Sequence, residues 1–199
     1  MKKLWITTCI ITCFCSSLLA QKKSSKLIFH SQEQVALING NGAVSAGIQS
    51  VNGVAFNNWF AGVGAGLDFY RYRSVPLFAD VKRYFRIANG NSFFVYGDGG
   101  YNFPWKKKND QDFSQWSWPS KVDTDAKGGA YMDGGVGYAI KCRNGNALLL
   151  SAGYSHKYFS EKVTTIYEIG GIAGNIEQTD VKSYTYSFNR IMIKVGWQF

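Results

Sequence analysis

Two short segments of the sequence carry residue types that could perform chemistry. Ser155 and His156 are a nucleophile and a base of the kind that esterases pair. Adjacent residues of a β-strand point to opposite faces, so these two side chains cannot hydrogen-bond to each other within a strand. The segment GVGAG, which begins at Gly62, lacks the G-x-G-x-x-G spacing of a nucleotide-binding loop, and no helical pattern follows it. We therefore expect no enzyme and no cofactor.

A second set of residues could form ion pairs. These acidic and basic side chains recur at alternate positions in several segments, with glycines between them. If the segments are strands, the charged side chains share one face. Acids and bases that meet away from bulk water are expected to pair. The set comprises Asp68, Asp80, Lys82, Arg86, Asp98, Asp133, Lys141, Arg190 and Lys194.

The elements that would position these residues are β-strands. Runs of alternating apolar and polar residues are separated by turn sequences such as NGNG, ANGN and RNGN. The alternation predicts eight strands, at 33–38, 44–56, 59–70, 75–87, 93–103, 130–142, 147–158 and 186–199. Eight consecutive strands of this kind predict an all-β fold, an eight-stranded antiparallel up-and-down barrel.

The composition of the two strand faces indicates which one is inside. The charged face is rich in glycine, and a water-exposed strand face has no need of residues that weaken strands. The narrow interior of an eight-stranded barrel does need small residues, because a few large side chains must fit beside them. The apolar face, with aromatic residues near the strand ends, then points outward into lipid. The alternative is a soluble lipocalin-like barrel, whose apolar face would point inward.

The acids on the inner face could also line a conduction path. However, an eight-stranded barrel is just wide enough for its own side chains. We therefore expect Asp68, Asp80, Asp98 and Asp133 to serve as structural ion-pair partners rather than as a pore lining.

The connections between strands differ in length at the two ends of the predicted barrel. Those after the second, fourth and sixth strands are tight, whereas those at about 104–128 and 159–185 are long. Outer-membrane barrels have short periplasmic turns and long extracellular loops. The two long connections are therefore predicted to be extracellular loops.

At this point the chain resembles a known family. The segments GIQSVNGVAFNNWFAGVGAGLDFYRYRSVPLFADVKRYF, FFVYGDGGYNF, GGAYMDGGVGYAIK and KVGWQF are similar to the small outer-membrane β-barrel proteins of Bacteroidetes. The similarity covers about residues 33–199. It implies that Trp197 and Phe199, in the C-terminal aromatic strand, belong to a signal for the barrel-assembly machinery. It implies no catalytic residues.

The first residues have the features of an export signal. Lys2 and Lys3 precede an apolar stretch at 4–14, and Ala20 precedes Gln21. We therefore expect a signal peptide at 1–20, a periplasmic leader at 21–32 and the barrel at 33–199. Of four cysteines, only Cys142 lies beyond the signal, so no internal disulfide is expected, and without a Cys/His cluster no zinc site is expected either.

The chain is basic, with a formal net charge of +9. This excess could favour anionic lipid or lipopolysaccharide, or it could be a generally solvated basic surface. We do not expect an exported chain to bind nucleic acid. The expected location is the bacterial outer membrane, with a monomer in contact with lipid and lipopolysaccharide.

The first long connection contains a possible binding surface. Lysines lie beside tryptophans in PWKKKNDQDFSQWSWPS, and exposed tryptophans stack on sugars or bury against a partner. The alternative is that the tryptophans anchor at the membrane interface while the lysines are solvated. The residues are Trp105, Lys106, Lys107, Lys108, Trp116 and Trp118. The expected role is envelope-structural or surface-binding, and a lipid-modifying barrel enzyme is a further alternative.

Overall fold

The computed structural model describes residues 27–40, 42–87, 90–105, 108–112, 121–142, 145–171 and 174–199. These residues form nine β-strands. The strands are β1 (Ile28–Gly40), β2 (Ala43–Phe56), β3 (Trp59–Asp68), β4 (Ser74–Arg86), β5 (Ser92–Pro104), β6 (Lys108–Asp112), β7 (Lys121–Lys141), β8 (Ala147–Gly171) and β9 (Gly174–Gln198).

Eight of the strands close into one ring. The order is β1-β2-β3-β4-β5-β7-β8-β9, and β9 pairs with β1 to complete it. Every pairing is antiparallel between neighbours in the ring, while the short β6 pairs only with the first part of β7. The predicted eight-stranded antiparallel up-and-down barrel is therefore confirmed.

The strands are staggered around the ring. Hydrogen-bonded partners followed from Phe29 through β2, β3, β4, β5, β7, β8 and β9 lead back to β1 at Asn39, ten positions further along. A ring of eight strands with this stagger requires the strands to tilt by about 40° from the barrel axis. The tilt fixes which side chains lie at the same height.

Short turns connect the strands at one end, which we call the turn end. It carries the connections at 57–58, 87–91 and 142–146 and the last residues of β9. Asn57 has a φ of 56°, a left-handed conformation that asparagine tolerates and that a two-residue hairpin requires. At the opposite end, which we call the loop end, the β8–β9 hairpin projects beyond the other strands.

The sequence-based strand boundaries need three corrections. The connection predicted at 104–128 contains β6 and the beginning of β7, which starts at Lys121 rather than at residue 130, because Lys121 already pairs with Ile166. The first strand begins at Ile28 rather than at residue 33, because Ile28 already pairs with Ala55. The connection predicted at 159–185 is instead a regular hairpin, with paired residues from Phe159 and Tyr186 to Gly171 and Gly174. This hairpin extends past the apolar part of the barrel, so it lacks the apolar alternation by which the other strands were recognised.

Candidate functional site

The inner face of the barrel holds a buried set of charged side chains. Among the described residues, four acidic and four basic side chains are buried, so the interior charges balance. They are Asp68, Asp80, Asp98, Asp133, Lys82, Lys157, Arg190 and Lys194. Charges removed from water are tolerated only when they are paired, and these eight form three groups at successive heights.

The group nearest the loop end is centred on Asp68. Lys157 places Nζ 3.2 Å from Asp68 Oδ2, and Arg190 also binds this carboxylate through Nη1. Arg190 Nη2 donates to Ser155 Oγ at 2.8 Å, and Lys157 Nζ donates to Ser74 Oγ at 3.0 Å. One carboxylate on β3 thus connects two cations on β8 and β9.

The middle group contains two acids and one base. Lys194 Nζ lies 2.5 Å from Asp133 Oδ2 and 3.4 Å from Asp98 Oδ2. The hydroxyl of Tyr96 donates to Asp133 Oδ1 at 3.2 Å, and the Lys194 ammonium lies 4.4 Å from the Tyr96 ring centroid. The extra acid here complements the extra base of the Asp68 group.

The group nearest the turn end consists of Asp80, Lys82 and glutamines. Lys82 Nζ lies 2.6 Å from Asp80 Oδ2 and donates to Gln32 Oε1 at 2.6 Å. Gln32 in turn donates to Gln198 Oε1 at 3.1 Å. This chain of contacts joins β4 to β1 and β9 across the interior.

Side chains meet across the full width of the ring at three heights. Lys157 and Asp68, Gln49 and Tyr131 (2.9 Å), and Tyr84 and Gln198 (3.4 Å) each join strands that are separated by three strands in either direction. The interior is therefore filled by the protein's own side chains at the loop end, in the middle and at the turn end.

The structure brings together seven of the nine residues assigned to the ion-pair network. Arg86 and Lys141 do not join it. They are exposed and line a cavity of about 210 Å³ at the turn end. Each lies in the last position of its strand, where the inward side chain reaches solvent instead of an acid.

Sequence reasoning missed Lys157, a fully buried member of the network. The signal was available, because Lys157 has the same strand parity as Ser155, which also points inward. The adjacent His156 points outward and is hydrogen-bonded to Asn189 at 2.8 Å. The structure thus places Ser155 and His156 on opposite faces of β8, as expected from their adjacency.

A cleft of about 430 Å³ opens at the loop end. The rings of Tyr72 and Phe159 stack in it with centroids 4.6 Å apart, and Tyr72 donates its hydroxyl hydrogen to Glu161 Oε2 at 2.9 Å. Burial, with hydrogen bonds to Tyr186 and Glu161, raises the pKa of Tyr72 well above its usual value. The lining residues are Arg71, Tyr72, Arg73, Trp105, Thr124, Ala126, Phe159 and Glu161.

Two residues of the predicted loop surface, Trp105 and Lys108, lie in the described part of the chain. Trp105 lies at the loop-end cleft with 59% of its surface exposed, and its backbone N–H donates to Arg73 O at 2.9 Å. Lys108 is the first residue of β6. Lys106, Lys107, Trp116 and Trp118 lie outside the described residues.

The outer face of the ring is predominantly apolar. Val63 is 70% exposed, and each of the eight strands of the ring carries at least one exposed valine, leucine, isoleucine or phenylalanine side chain, such as Val136 on β7. Arg83 lies over the Trp59 ring at 4.7 Å near the turn end. Phe199 is exposed beside β1, where its N–H donates to Ser31 O at 2.9 Å, and Trp197 is half-buried between Glu33 and Leu148.

The described residues contain no group of three or more histidine, cysteine, aspartate or glutamate side chains that could hold a metal ion. The same residues include no helix with the length and hydropathy to cross a bilayer. No protein-family model matches the chain, and no curated protein matches it in sequence.

Proposed function

We propose that this protein is an integral outer-membrane β-barrel with a filled interior and an envelope-structural role. The observation that carries the proposal is the inverted polarity of the ring, with paired charges inside and large apolar side chains outside. A contiguous apolar surface that extends around the whole ring is expected to be covered by lipid or protein. The proposal rests on this polarity rather than on the strand ring, which soluble ligand-binding barrels share.

The height of the apolar surface fits a bilayer. The outer face of β3 carries Ala61, Val63, Ala65 and Leu67, flanked by Trp59 at the start of the strand and by Phe69 just after its end. Tyr101 and Phe103 occupy the loop end of β5. Outer-membrane barrels carry an apolar band of about 25 Å between two aromatic girdles. The same proposal includes membership of the Bacteroidetes outer-membrane barrel proteins. It also includes assembly by the barrel-assembly machinery, which would recognise Trp197 and Phe199.

A charged residue on the outer face tests the membrane location. Val63→Lys would place an ammonium near the middle of the proposed band, which costs about 2–4 kcal/mol in lipid. In a soluble barrel the same change would be harmless, because Val63 already faces solvent there. Tyr184→Lys is the matched control, since Tyr184 is exposed on the hairpin beyond the band.

The measurement is fractionation of cells together with gel mobility before and after boiling. We expect the wild type and Tyr184→Lys in the outer-membrane fraction, with a mobility that changes on boiling, and a reduced folded fraction for Val63→Lys. Recovery of the wild type in the soluble periplasm, or equal folding of all three proteins, would contradict the proposal.

A second role, binding at the cell surface, is favoured by the loop-end cleft. It combines the stacked Tyr72 and Phe159 rings, exposed Trp105 and the arginines at 71 and 73. Aromatic faces stack on sugars, and guanidinium groups bind phosphate in a bidentate manner. The chemistry fits a phosphorylated glycan such as lipopolysaccharide.

A further inference from the structure

A polar patch interrupts the apolar outer face on β1 and β2. Ser31, Glu33, Ser50 and Asn52 all point outward, whereas their outward neighbours along the two strands, Val35, Ile48 and Val54, are exposed and apolar. In the ladder, Glu33 is directly opposite Ser50, and Ser31 is directly opposite Asn52. The four residues therefore form a two-by-two block.

The block lies within the apolar band rather than at its edge. On the neighbouring strand, Asn52 is opposite Val63 and Ser50 is opposite Ala65. Val63 and Ala65 are midway between the aromatic residues Trp59 and Phe69. Ionisable side chains at such a depth are costly and generally have a partner or a function.

The patch satisfies only part of its own hydrogen-bonding capacity. Ser50 Oγ donates to Glu33 Oε1 at 2.8 Å, and Asn52 Nδ2 lies 3.4 Å from Ser50 Oγ. Within the part of the chain that the structure describes, no cation pairs with Glu33. A carboxylate acceptor and an amide donor thus remain on the outer surface.

The strand tilt gives this block a particular orientation. The step from Ser31 to Ser50 climbs two residues along β1 and one strand around the ring, and both moves lead toward the loop end. Strands are about 4.8 Å apart and rise about 3.3 Å per residue, so at a tilt of about 40° this diagonal is almost parallel to the barrel axis. The other diagonal runs from Glu33 to Asn52. Here the step along β1 leads toward the turn end while the step to β2 leads toward the loop end, so the two residues lie at nearly the same height.

We propose that this patch is the interface of a homodimer in the membrane. Two copies inserted in the same direction are related by a two-fold axis parallel to the barrel axis. When that axis runs along the Ser31–Ser50 diagonal, Glu33 of each copy faces Asn52 of the other. Two symmetry-related contacts between a carboxylate and an amide then form across the interface. Polar side chains of this kind hold membrane segments together through hydrogen bonds.

The patch thus complements itself, and a second copy of this chain is the occupant that its geometry fits. The inference rests on the proposed membrane location, and it replaces the monomer expected from the sequence.

Disulfide cross-linking of the full chain in membranes tests the interface. In a Cys142→Ser background, Ser50→Cys places a thiol next to its own symmetry mate, within reach of a disulfide. Val136→Cys is the matched control, because Val136 also points outward, with 62% of its surface exposed, but lies on β7, on the opposite side of the ring. We expect oxidation to give disulfide-linked dimers with Ser50→Cys and only traces with Val136→Cys.

A charge exchange tests the pairing itself. Adding Asn52→Asp should set carboxylates against each other and lower the association constant roughly tenfold, which corresponds to about 1.4 kcal/mol. The double change Glu33→Gln with Asn52→Asp recreates the pair with its roles exchanged and should restore dimers.

Equal cross-linking at positions 50 and 136, cross-links to other proteins only, or no cross-link at Ser50→Cys would overturn the homodimer. If the protein is in the outer membrane and shifts mobility on boiling, such a result leaves the proposed function intact. Recovery in the soluble fraction would refute both.

Discussion

Lys157 and Asp68 face each other across the full width of the barrel, with Nζ and Oδ2 3.2 Å apart. Three strands separate β8 from β3 in either direction around the ring, so this contact joins opposite walls. Arg190 binds the same carboxylate from β9. A single acid therefore pairs with two buried cations and links three strands of the ring.

Removing this acid should strongly destabilise the barrel. Asp68→Ala leaves Lys157 and Arg190 buried without their carboxylate, and breaking a buried pair in this way costs about 3–5 kcal/mol. Asp180→Ala is the control, because the Asp180–Lys182 pair is largely exposed and such pairs contribute about 0–1 kcal/mol. Urea titration of the folded fraction should give a lower midpoint for Asp68→Ala than for Asp180→Ala. Equal midpoints would show that the interior pair stabilises the barrel no more than the exposed pair.

The filled interior predicts a barrel that does not conduct ions. The contacts Lys157–Asp68, Gln49–Tyr131 and Tyr84–Gln198 close the ring at three heights. We expect no conductance steps from the wild type in planar bilayers. Shortening one side chain at each height, with Lys157→Ala, Tyr131→Ala and Tyr84→Ala together, should produce a leak.

Each single variant should remain closed, because the other two heights still block the path. Gel mobility before boiling shows whether the triple variant is folded. Reproducible single-channel steps from the wild type would disprove the closed interior.

Glycines on the inner face should be sensitive to substitution, unlike those on the outer face. A Cβ added at Gly64 would lie 2.5 Å from the Phe78 ring, so Gly64→Ala should cost about 1–3 kcal/mol through overpacking. At Gly97, on the outer face, an added Cβ meets no atom within 4 Å. Gly97→Ala should therefore be neutral or stabilising by about 0.5–1 kcal/mol. Urea midpoints of the two variants check the difference, and a larger loss for Gly97→Ala would reverse the assignment of faces.

The strand ring could be predicted from the sequence because alternation has a period that survives without knowledge of the partner strands. The inward parity of Asp68, Asp80 and Lys194 follows from it directly. Which acid meets which base does not follow, because pairing across the interior depends on the stagger of all eight strands. Asp68 and Lys157 are 89 positions apart, and no local pattern links them.

Elements outside the apolar band were harder to recognise. The β8–β9 hairpin beyond Phe159 carries polar residues on both faces, so the sequences of its two strands show no apolar period from which their pairing could be predicted. The loop-end cleft could not be recognised in the sequence either, because Tyr72, Trp105 and Phe159 come from three different connections or strands. Only the closed ring brings them together.

The loop-end cleft should bind phosphorylated glycan more tightly than its dephosphorylated form. Arg73 offers a guanidinium for phosphate, and Trp105 offers an exposed ring for a sugar face. We expect Arg73→Ala to weaken binding of phosphorylated lipopolysaccharide about tenfold, or ~1.4 kcal/mol, and to leave binding of the dephosphorylated form unchanged. Trp105→Ala should weaken binding of both the phosphorylated and the dephosphorylated form.

Lys182→Ala is the control for general positive charge, because Lys182 is an exposed cation at the same end of the barrel and pairs with Asp180. Titration calorimetry at two salt concentrations measures these affinities, and an equal loss for Arg73→Ala and Lys182→Ala that disappears with salt would indicate a diffuse basic surface rather than a site.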